Sequence, residues 1–589
     1  MSDPLGKRRR VAIVLILAVL PYLNALSDGF TFDDGPVILQ NPAVIEGLDV
    51  GRIFATPLFG RLYRPVTVLT YAVNQSTAAG QAWSFHATNI LLHAVVSVLV
   101  LFLTSLLFDS TRVALAAAVL FAVHPIHTEA VTSIVGRAEL LAALFGLAAI
   151  LFAAAAETAL SSSRRLLLRV ASVLALPLAV MSKESAATVL PLIFLARIVV
   201  RRESFRSGVW RELRSGDWLI WGLSLLAVVW LRQQIVGGIN QPSNEGASGL
   251  VPLSRMDNIL AFVPAVDRVR SAVAVVWDYF GLLNVPLVLS ADYSFDQVPI
   301  VQSWFDARWL AGALLVMAAL ATAILHPRPA VRFSVTLALL TLFVTANILF
   351  PIGTIKGERL LYLPSVGWAM LAGFYFVTLR RQPRFERIVL VVFCAVITLF
   401  AARVWRRNGD WADNFTLYRS MVQTSPRSAK ARNNLGVALQ LRGYDEAAIE
   451  QFEAALAIYP DAEASALGIG IVMERSGKIG EAQRWFDRAV AIRPDYLLAH
   501  GYRCAARLRA GDYAAAAAAC RAGLRHQPAN ADLLKGLGFS LVGMNDSVDG
   551  ASVLRRALNL NPADEEIRAY LERQSQSVRR LGLPVEVRG

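Results

Sequence analysis

Residues 427–460 read RSAKARNNLGVALQLRGYDEAAIEQFEAALAIYP, the first of several segments built on one plan. Prolines recur every 34 residues, at Pro426, Pro460, Pro494, Pro528 and Pro562. Glycine and alanine keep the same period, at Gly443, Gly477 and Gly511 and at Ala448, Ala482 and Ala516. Small residues let two helices pack closely, and a proline ends the second helix of each pair. The pattern therefore predicts four helix pairs over residues 427–562.

This period is typical of tetratricopeptide repeats, so residues 427–589 are predicted to form an α-solenoid of four repeats and a capping helix. Such arrays present a concave groove that suits a peptide. Cys504 and Cys520 fall at the third-repeat positions equivalent to Gly436 and Phe452. We interpret them as small apolar core residues, with a disulfide as the alternative in an oxidising compartment.

The chain upstream of residue 405 is strongly apolar. Of all 589 residues, 55% are hydrophobic and 17% are charged, against about 25% charged in soluble domains. Many of the apolar stretches approach the roughly 20 residues that cross a bilayer. These stretches are 11–26, 90–108, 113–123, 140–156, 166–180, 186–200, 219–231, 309–325, 331–350, 360–379 and 388–404. We predict an all-α protein with a polytopic domain of about 11 transmembrane helices over 1–405, a linker helix over 406–426 and the solenoid.

We attribute the net charge of +14 to basic loops on the cytoplasmic side of a membrane rather than to the binding of nucleic acid. Placing Lys7 and the arginines that follow it in the cytoplasm puts most basic loops inside, as the positive-inside rule requires. This holds if residues 266–290 do not cross, and lie at the interface or re-enter. An odd number of crossings then puts the solenoid outside the cytoplasm. The repeats show no aromatic and basic ladder for binding nucleic acid.

Charged and polar side chains collect on the loops predicted to lie outside. They are Asp33, Asp34, Arg64, His86, His124, His127, Glu129, Arg137, Glu139, Lys183, Glu184, Asp292, Glu358 and Arg359. We expect no comparable acidic clusters on the cytoplasmic loops. Cations can neutralise a departing phosphate and a carboxylate can accept a hydroxyl proton, so this set suits sugar transfer from a lipid phosphate.

Several of these segments resemble one family. They are Asp33-Asp34, residues 124–129 (HPIHTE), 136–139 (GRAE), 182–184 (SKE), 289–294 (LSADYS) and 357–364 (GERLLYLP). Together with the repeats, they are similar to the transmembrane and tetratricopeptide-repeat proteins, which are GT-C-type protein O-mannosyltransferases. The resemblance implies a polyprenyl-phosphate-mannose donor, Ser and Thr hydroxyls as acceptors, and a catalytic role for Asp33 and Asp34. A composition rich in Ala, Arg and Leu suggests a bacterial inner membrane with the site and the repeats in the periplasm.

The site hypothesis assigns roles to these residues. Either Asp33 or Asp34 is the base, and direct displacement of phosphate predicts inversion at the anomeric carbon. The repeats are expected to recruit the acceptor polypeptide. Arg137, Lys183 and Arg359 are predicted to hold the donor phosphate, with Arg64, His86, His124, His127, Glu129, Glu139, Glu184, Asp292 and Glu358 in support.

Three alternatives stay open at this stage. His124 and His127 with Glu129, or the loop carboxylates, could bind a divalent metal, and no other cofactor is indicated. The acceptor could be a lipid or a polysaccharide. The protein could also be a membrane-anchored scaffold without enzymatic activity, although a scaffold has no need of acid and base clusters on separate loops.

Overall fold

The computed structural model describes residues 4–59, 62–237 and 254–580, and the last nine residues of the predicted repeat domain lie outside this range. The chain forms two compact units that meet between Pro426 and Arg427. The regular structure of the described residues is helical, apart from one isolated antiparallel bridge between Leu58 and Leu62. The predicted all-α fold is confirmed.

The described residues of the first unit, which we call the membrane unit, form eighteen α-helices. They are α1 (Pro4–Val19), α2 (Pro42–Ile45), α3 (Val50–Ala55), α4 (Pro65–Ala78), α5 (Ala82–Phe108), α6 (Thr111–Ala122), α7 (Thr128–Val131), α8 (Arg137–Ala156), α9 (Ser162–Ser182), α10 (Val189–Arg201), α11 (Phe205–Ser215), α12 (Asp217–Val236), α13 (Ala265–Asn284), α14 (Ala307–Leu325), α15 (Pro329–Phe343), α16 (Pro364–Arg380), α17 (Glu386–Asn408) and α18 (Asn414–Thr424). The predicted linker over 406–426 therefore lies within this unit.

Seven helices among the described residues are long and apolar enough to cross a membrane, and α6 with the bent segment that follows it would make an eighth. This is an integral membrane protein. The predicted count of eleven is not confirmed, because three of the stretches form helices of only 13, 15 and 17 residues, α10, α15 and α16. At 1.5 Å per residue, α10 is about 20 Å long, against a hydrocarbon core of about 30 Å.

The stretch 266–290, expected not to cross, begins with one continuous 20-residue helix, α13. It is not among the apolar spans, since it contains Asp267, Arg268, Arg270 and Asp278. Its buried face packs Val275, Tyr279 and neighbouring apolar residues into a core with the chain that follows. An unbroken helix agrees better with an interfacial position than with a re-entrant hairpin.

The second unit, which we call the repeat unit, is a series of helix pairs followed by one further helix. These are α19 (Ala429–Leu441), α20 (Asp445–Ile458), α21 (Glu463–Arg475), α22 (Ile479–Ile492), α23 (Leu497–Arg509), α24 (Tyr513–Leu524), α25 (Ala531–Gly543), α26 (Ser547–Leu560) and α27 (Glu565–Arg580). A Cβ on Gly436 would lie 2.7 Å from the ring of Phe452, so the close pairing of α19 with α20 requires glycine there. The equivalent positions of the third repeat hold Cys504 and Cys520, which form a buried disulfide. The disulfide alternative therefore holds.

A charged network closes one end of the membrane unit. The guanidinium of Arg197 is fully buried and donates to Glu157 at 2.9 Å and to Glu212 and Asp217 at 2.7 Å. Arg201 donates to Glu157 at 2.8 Å and to Glu212 at 2.5 Å. Arg169 completes the group at 3.4 Å from Asp217, and we call these six residues the Arg197 network. The expectation that acidic clusters would be confined to the other loops was wrong, because Glu157 is distant in sequence from Glu212 and Asp217 and meets them only in the fold.

Candidate active site

Asp34 ties the first loop to the start of α8. Its carboxylate accepts from the Thr31 N–H at 2.8 Å and from the Val135 N–H at 3.1 Å, and its side chain is buried. Burial raises the pKa of Asp34 to about 7. The two backbone donors and the charge of Arg137 act in the opposite direction but are outweighed. Both carboxylate oxygens are thus used to hold the backbone in place.

Asp33 is half-buried, and its carboxylate accepts no hydrogen bond from the described residues. It follows Phe32, whose φ of 51° is uncommon for a residue with a Cβ. The Phe32 N–H donates to the Asn414 side chain at 2.7 Å, and the Phe32 ring packs edge-on against Tyr418. The start of α18 therefore fixes the turn at Phe32, directly before the two aspartates. In this turn Asp34 bonds to backbone N–H groups and Asp33 does not.

Arg359 is paired with Glu129 and lies near enough to Asp33 to feel its charge. Its Nη1 donates to Glu129 Oε1 at 2.8 Å, and its backbone N–H donates to Oε2 at 2.8 Å. Burial opposes the charge on Arg359, but Glu129, Asp33 and Glu139, in that order, raise its pKa above its usual value. Glu129 is 2% exposed and Arg359 is 34% exposed, so a paired cation keeps part of its surface open.

Two further ion pairs continue from Arg359. The ammonium of Lys183 contacts Glu139, and both side chains are about nine-tenths buried. Arg64 forms a bidentate pair with Glu184, with N–O distances of 3.0 and 2.6 Å. Partial desolvation of the Glu184 side chain acts to raise its pKa, but Arg64 outweighs it and the pKa is lowered to about 2. We call Asp33, Arg64, Glu129, Glu139, Lys183, Glu184 and Arg359 the Asp33 cluster.

Arg137, predicted to bind the donor phosphate, is instead fully buried. Its guanidinium donates to the side chains of Asn89 at 2.8 Å and Asn74 at 2.7 Å, and to the backbone carbonyls of Thr70 and Phe85. These neutral acceptors come from α4 and α5, and spacing in the sequence gave no sign of them. We therefore reassign Arg137 from phosphate contact to holding α8 against α4 and α5.

The close turn before α8 depends on the glycine that precedes Arg137. A Cβ on Gly136 would lie 2.3 Å from the carbonyl oxygen of Ala130. Only glycine lets residues 134–136 fold back against α7, and this turn presents the Val135 N–H to Asp34.

The predicted histidines are all buried. His124 accepts from the Ile126 N–H and contacts the Leu283 carbonyl at 2.9 Å, and His127 contacts the Ser365 hydroxyl at 2.8 Å. His86 lies beside the backbone of Gly29 and Thr132. Within the described residues, no three His, Cys, Asp or Glu side chains are grouped as a metal site.

Glu358 and Asp292 form hydrogen bonds that hold the loop of residues 290–294 in place. Glu358 is fully buried and accepts from the Tyr293 hydroxyl at 2.7 Å and the Ser290 N–H at 2.5 Å. Burial raises the pKa of Glu358 to about 7, while Arg407 beside it lowers it. Asp292 accepts from the Ser294 hydroxyl at 2.5 Å. Both are placed to position the backbone of residues 290–294.

Sequence reasoning missed a second support from the end of α17. Asn408 donates to the Pro21 carbonyl at 2.9 Å and accepts from the Thr132 hydroxyl at 2.9 Å, and Arg407 is buried beside Glu358. Ser425 donates to the Asp292 carbonyl at 2.7 Å. The only available signal was an arginine pair at the end of an apolar helix, which is also the ordinary pattern of a membrane anchor.

Comparison with known proteins identifies similar chains. A family model described as "Protein O-mannosyl-transferase TMTC, DUF1736" matches residues 249–320, which include α13 and the first part of α14. The chain resembles the TMTC proteins. It is 28% identical to mouse "Protein O-mannosyl-transferase TMTC3" over 85% of its length and 56% of the relative, and 28% identical to human TMTC4 over 75% and 65%.

A nematode relative, "Protein O-mannosyl-transferase F38B6.6" of Caenorhabditis elegans, is 28% identical over 77% of this chain and 63% of its own length. The chain thus spans about 56–65% of the length of these TMTC relatives. Among solved structures, "YrrB: a TPR protein with an unusual peptide-binding site" is 16% identical with a TM-score of 0.24, covering 34% of this chain and 97% of that one. A MamA fragment from Desulfovibrio magneticus RS-1 is 22% identical with a TM-score of 0.23, covering 24% and 81%.

Proposed function

We propose that this chain is a membrane glycosyltransferase that transfers a sugar, mannose in the first instance, from a polyprenyl phosphate to Ser or Thr hydroxyls of proteins. The observation that carries the proposal is that a half-buried carboxylate with no hydrogen bond from the described residues, Asp33, lies within electrostatic range of a partly exposed cation, Arg359, which is paired with Glu129. The names of the TMTC relatives support the activity and the sugar.

Asp33 is the base in this proposal, and Asp34 is a positioning residue. A base must reach the acceptor hydroxyl, and Asp34 is 1% exposed, with each of its oxygens held by a backbone N–H. Asp33 has no such commitment among the described residues. The aspartates that the sequence could not separate are thus given different roles.

The reaction is a single displacement. Asp33 takes the proton of the acceptor hydroxyl while the hydroxyl oxygen forms a bond to the anomeric carbon. The bond from that carbon to the phosphate oxygen breaks, and the electron pair leaves with the lipid phosphate. Arg359 stabilises the departing charge, and Glu129 holds its guanidinium in place through two hydrogen bonds. Attack opposite the leaving group gives inversion.

We place the site and the repeats outside the cytoplasm, in the periplasm of a bacterial inner membrane. The Cys504–Cys520 disulfide supports this, since disulfides persist in oxidising compartments. Residues 409–426 contain no apolar segment long enough to cross, so the repeats follow α17 into the compartment where it ends. Labels at Gly35 and Pro460 are expected on the same, outer side, and labels on opposite sides would contradict the placement.

The activity is tested with the purified full chain, a labelled polyprenyl-phosphate mannose and Ser- or Thr-containing polypeptides. Transfer with an inverted anomeric centre, read by NMR of the product, is expected. A retained configuration would reject the single displacement. Transfer to lipid or polysaccharide alone would reject a protein acceptor. No transfer with any polyprenyl-phosphate sugar would reject the enzymatic activity.

A further inference from the structure

A groove opens on the membrane unit between the end of α13 and residues 285–298. Its cavity volume is about 490 Å³, and it is open to the outside. One side is apolar and consists of Trp277, Leu282, Val285, Leu287 and Val288. The groove lies within the 249–320 region matched by the family model, apart from Lys356, which closes its other side.

Lys356 is the polar group that makes this groove a candidate site. The residue is 8% exposed, and its ammonium makes no hydrogen bond with the described residues. The nearest carboxylate oxygen, on Asp278, is 3.8 Å away, and the Tyr293 ring centroid is 4.4 Å away. An ammonium has three N–H donors, and none of them is used in a hydrogen bond with the described residues. Because Lys356 lines the groove, an acceptor bound there can receive these donors.

A second cation converges on the same space. Arg308 lines the groove and lies close enough to Lys356 to repel its charge. Its guanidinium makes one weak bond, at 3.3 Å, to the Pro299 carbonyl. Asp278 offsets only one of the two positive charges, so the groove favours an anion.

The apolar side is unusually open for a folded surface. Val285, Leu287 and Val288 are 60%, 70% and 61% exposed, and Trp277, 41% exposed, stacks on Phe280. Exposed tryptophan beside aliphatic side chains is typical of a membrane interface. A cationic end joined to a long apolar wall matches an amphiphile with an anionic head and a hydrocarbon chain.

The cationic end is joined to the Asp33 cluster by a short, fixed loop. Lys356 and Arg359 are three residues apart, and Gly357 and Glu358 between them are tied to α13 and to the chain beyond it. The Gly357 N–H bonds the Tyr279 hydroxyl at 3.0 Å, and Glu358 accepts from Tyr293. One loop therefore presents one cation to the groove and another to Asp33.

We propose that this groove binds the lipid-phosphate carrier of the sugar donor, with its phosphate against Lys356 and Arg308 and its isoprenoid chain along Val285–Val288. The proposal rests on the proposed function and adds to it the place where the carrier is held. The phosphate bound here is the one that leaves in the reaction, so Lys356 and Arg308 hold it from the groove side and Arg359 meets it from the Asp33 side of the 356–359 loop. Lys356 and Arg308 are phosphate-binding residues that neither sequence spacing nor the family resemblance had singled out.

The test measures binding of a sugar-free polyprenyl monophosphate to the full chain in nanodiscs, by native mass spectrometry or photocrosslinking. Lys356→Ala with Arg308→Ala removes both charge-assisted hydrogen bonds to the phosphate and should weaken binding by about a hundredfold or more. Lys356→Arg should retain most of it. Arg380→Ala, an exposed cation at the end of α16, is the matched control and should not change binding.

The Val288→Asp variant tests the apolar wall without altering the cations. It puts a charge where the chain would lie, and should weaken binding even if Lys356→Ala proves to unfold the protein. Binding that is unchanged in Lys356→Ala or in Val288→Asp would overturn the proposal. Phosphatidic acid that competes as well as the polyprenyl phosphate would show a general lipid headgroup site and would also overturn it.

The experiment separates this inference from the enzymatic activity. Asp33→Asn should abolish transfer and leave carrier binding intact, because Asp33 does not line the groove. Carrier binding without transfer in the wild type would contradict the proposed function alone. Transfer without groove-dependent binding would contradict this inference alone.

Discussion

The Asp33 cluster and the Arg197 network are built from the same residue types and lie at opposite ends of α8. In the Arg197 network three arginines meet three carboxylates, and Arg197 itself is 1% exposed. In the Asp33 cluster, Arg359 and Glu184 are 34% and 40% exposed, and Asp33 accepts no hydrogen bond from the described residues. The two regions are separated by the 20 residues of α8, or about 30 Å.

The difference shows that charge density alone does not mark a reaction centre. A buried network in which every charge is paired holds α8 to α12 together and has no group left to react. The Asp33 cluster keeps one carboxylate and part of one cation available. A reaction centre differs from a structural network in keeping charged atoms that are accessible and not fully paired.

The largest effect is expected in the Arg197 network. Arg197→Ala removes the central cation and leaves Glu157 and Glu212 with Arg201 and Asp217 with Arg169, which should cost up to about 3–5 kcal/mol in the free energy of unfolding. The transfer rate per folded molecule should not change. Arg202→Ala, which breaks a pair whose side chains are 81% and 82% exposed, is the control and should change stability little.

The denaturation of both variants in detergent measures this difference. An Arg197→Ala protein as stable as the wild type would show that the network does not stabilise the fold. One that is stable but inactive would show that the network takes part in the reaction.

The second prediction concerns the pH dependence of stability at Asp34. The folded-state pKa of about 7 lies above the unfolded value of about 3.9, so the folded state holds the proton more tightly between these values. The stabilisation is complete below about pH 4 and is lost as the pH rises through about 7. Asp34→Asn cannot ionise, so the wild type should lose stability relative to this variant over that range, by a few kcal/mol at most.

Unfolding temperatures of the two proteins at pH 4.5, 6 and 7.5 measure this trend. A difference that is constant with pH, or one that favours the wild type as pH rises, would contradict the buried position of Asp34.

Arg359→Ala should reduce the turnover number about 100-fold, because it removes the cation that meets the departing phosphate. Arg359→Lys keeps a charge and should recover part of the rate, although a lysine cannot hold Glu129 through the same side-chain geometry. The measurement is kcat and KM with a lipid-linked sugar. A rise in KM with an unchanged kcat would limit Arg359 to ground-state binding.

The smallest effect is expected at Arg64 and Glu184, on the edge of the Asp33 cluster. Glu184 is 40% exposed, so solvent screens the pair and a double-mutant cycle of Arg64→Ala and Glu184→Ala should give a coupling of no more than about 1 kcal/mol. Transfer should fall only modestly. Loss of transfer as large as in Arg359→Ala would extend the reaction centre to this pair.

The sequence predicted features that depend on regular spacing or on strong local chemistry. Proline recurs with one period over residues 426–562 because each repeat packs its helices in the same way, and the observed helix pairs have the same period. The aspartate doublet was recognisable because it follows the first apolar span, where the family resemblance places an acidic pair.

The sequence could not reveal features that depend on distant partners. The neutral acceptors around Arg137 come from α4 and α5, so a buried structural arginine looked the same as a phosphate ligand. Lys356 seemed ordinary because its exposure to a groove depends on how α13 packs. The different settings of Asp33 and Asp34 arise from the turn at Phe32, which Asn414 stabilises from 382 residues away.

The most direct test compares Asp33→Asn with Asp34→Asn in purified full-length protein, measuring sugar transfer and thermal unfolding on the same samples. General base catalysis contributes about 10²–10⁴-fold, so Asp33→Asn should lose transfer by at least about 100-fold while unfolding at the wild-type temperature. Asp34→Asn should shift the unfolding temperature and keep measurable transfer in its folded fraction. The reverse result, a stable and inactive Asp34→Asn beside an active Asp33→Asn, would contradict the assignment of the base.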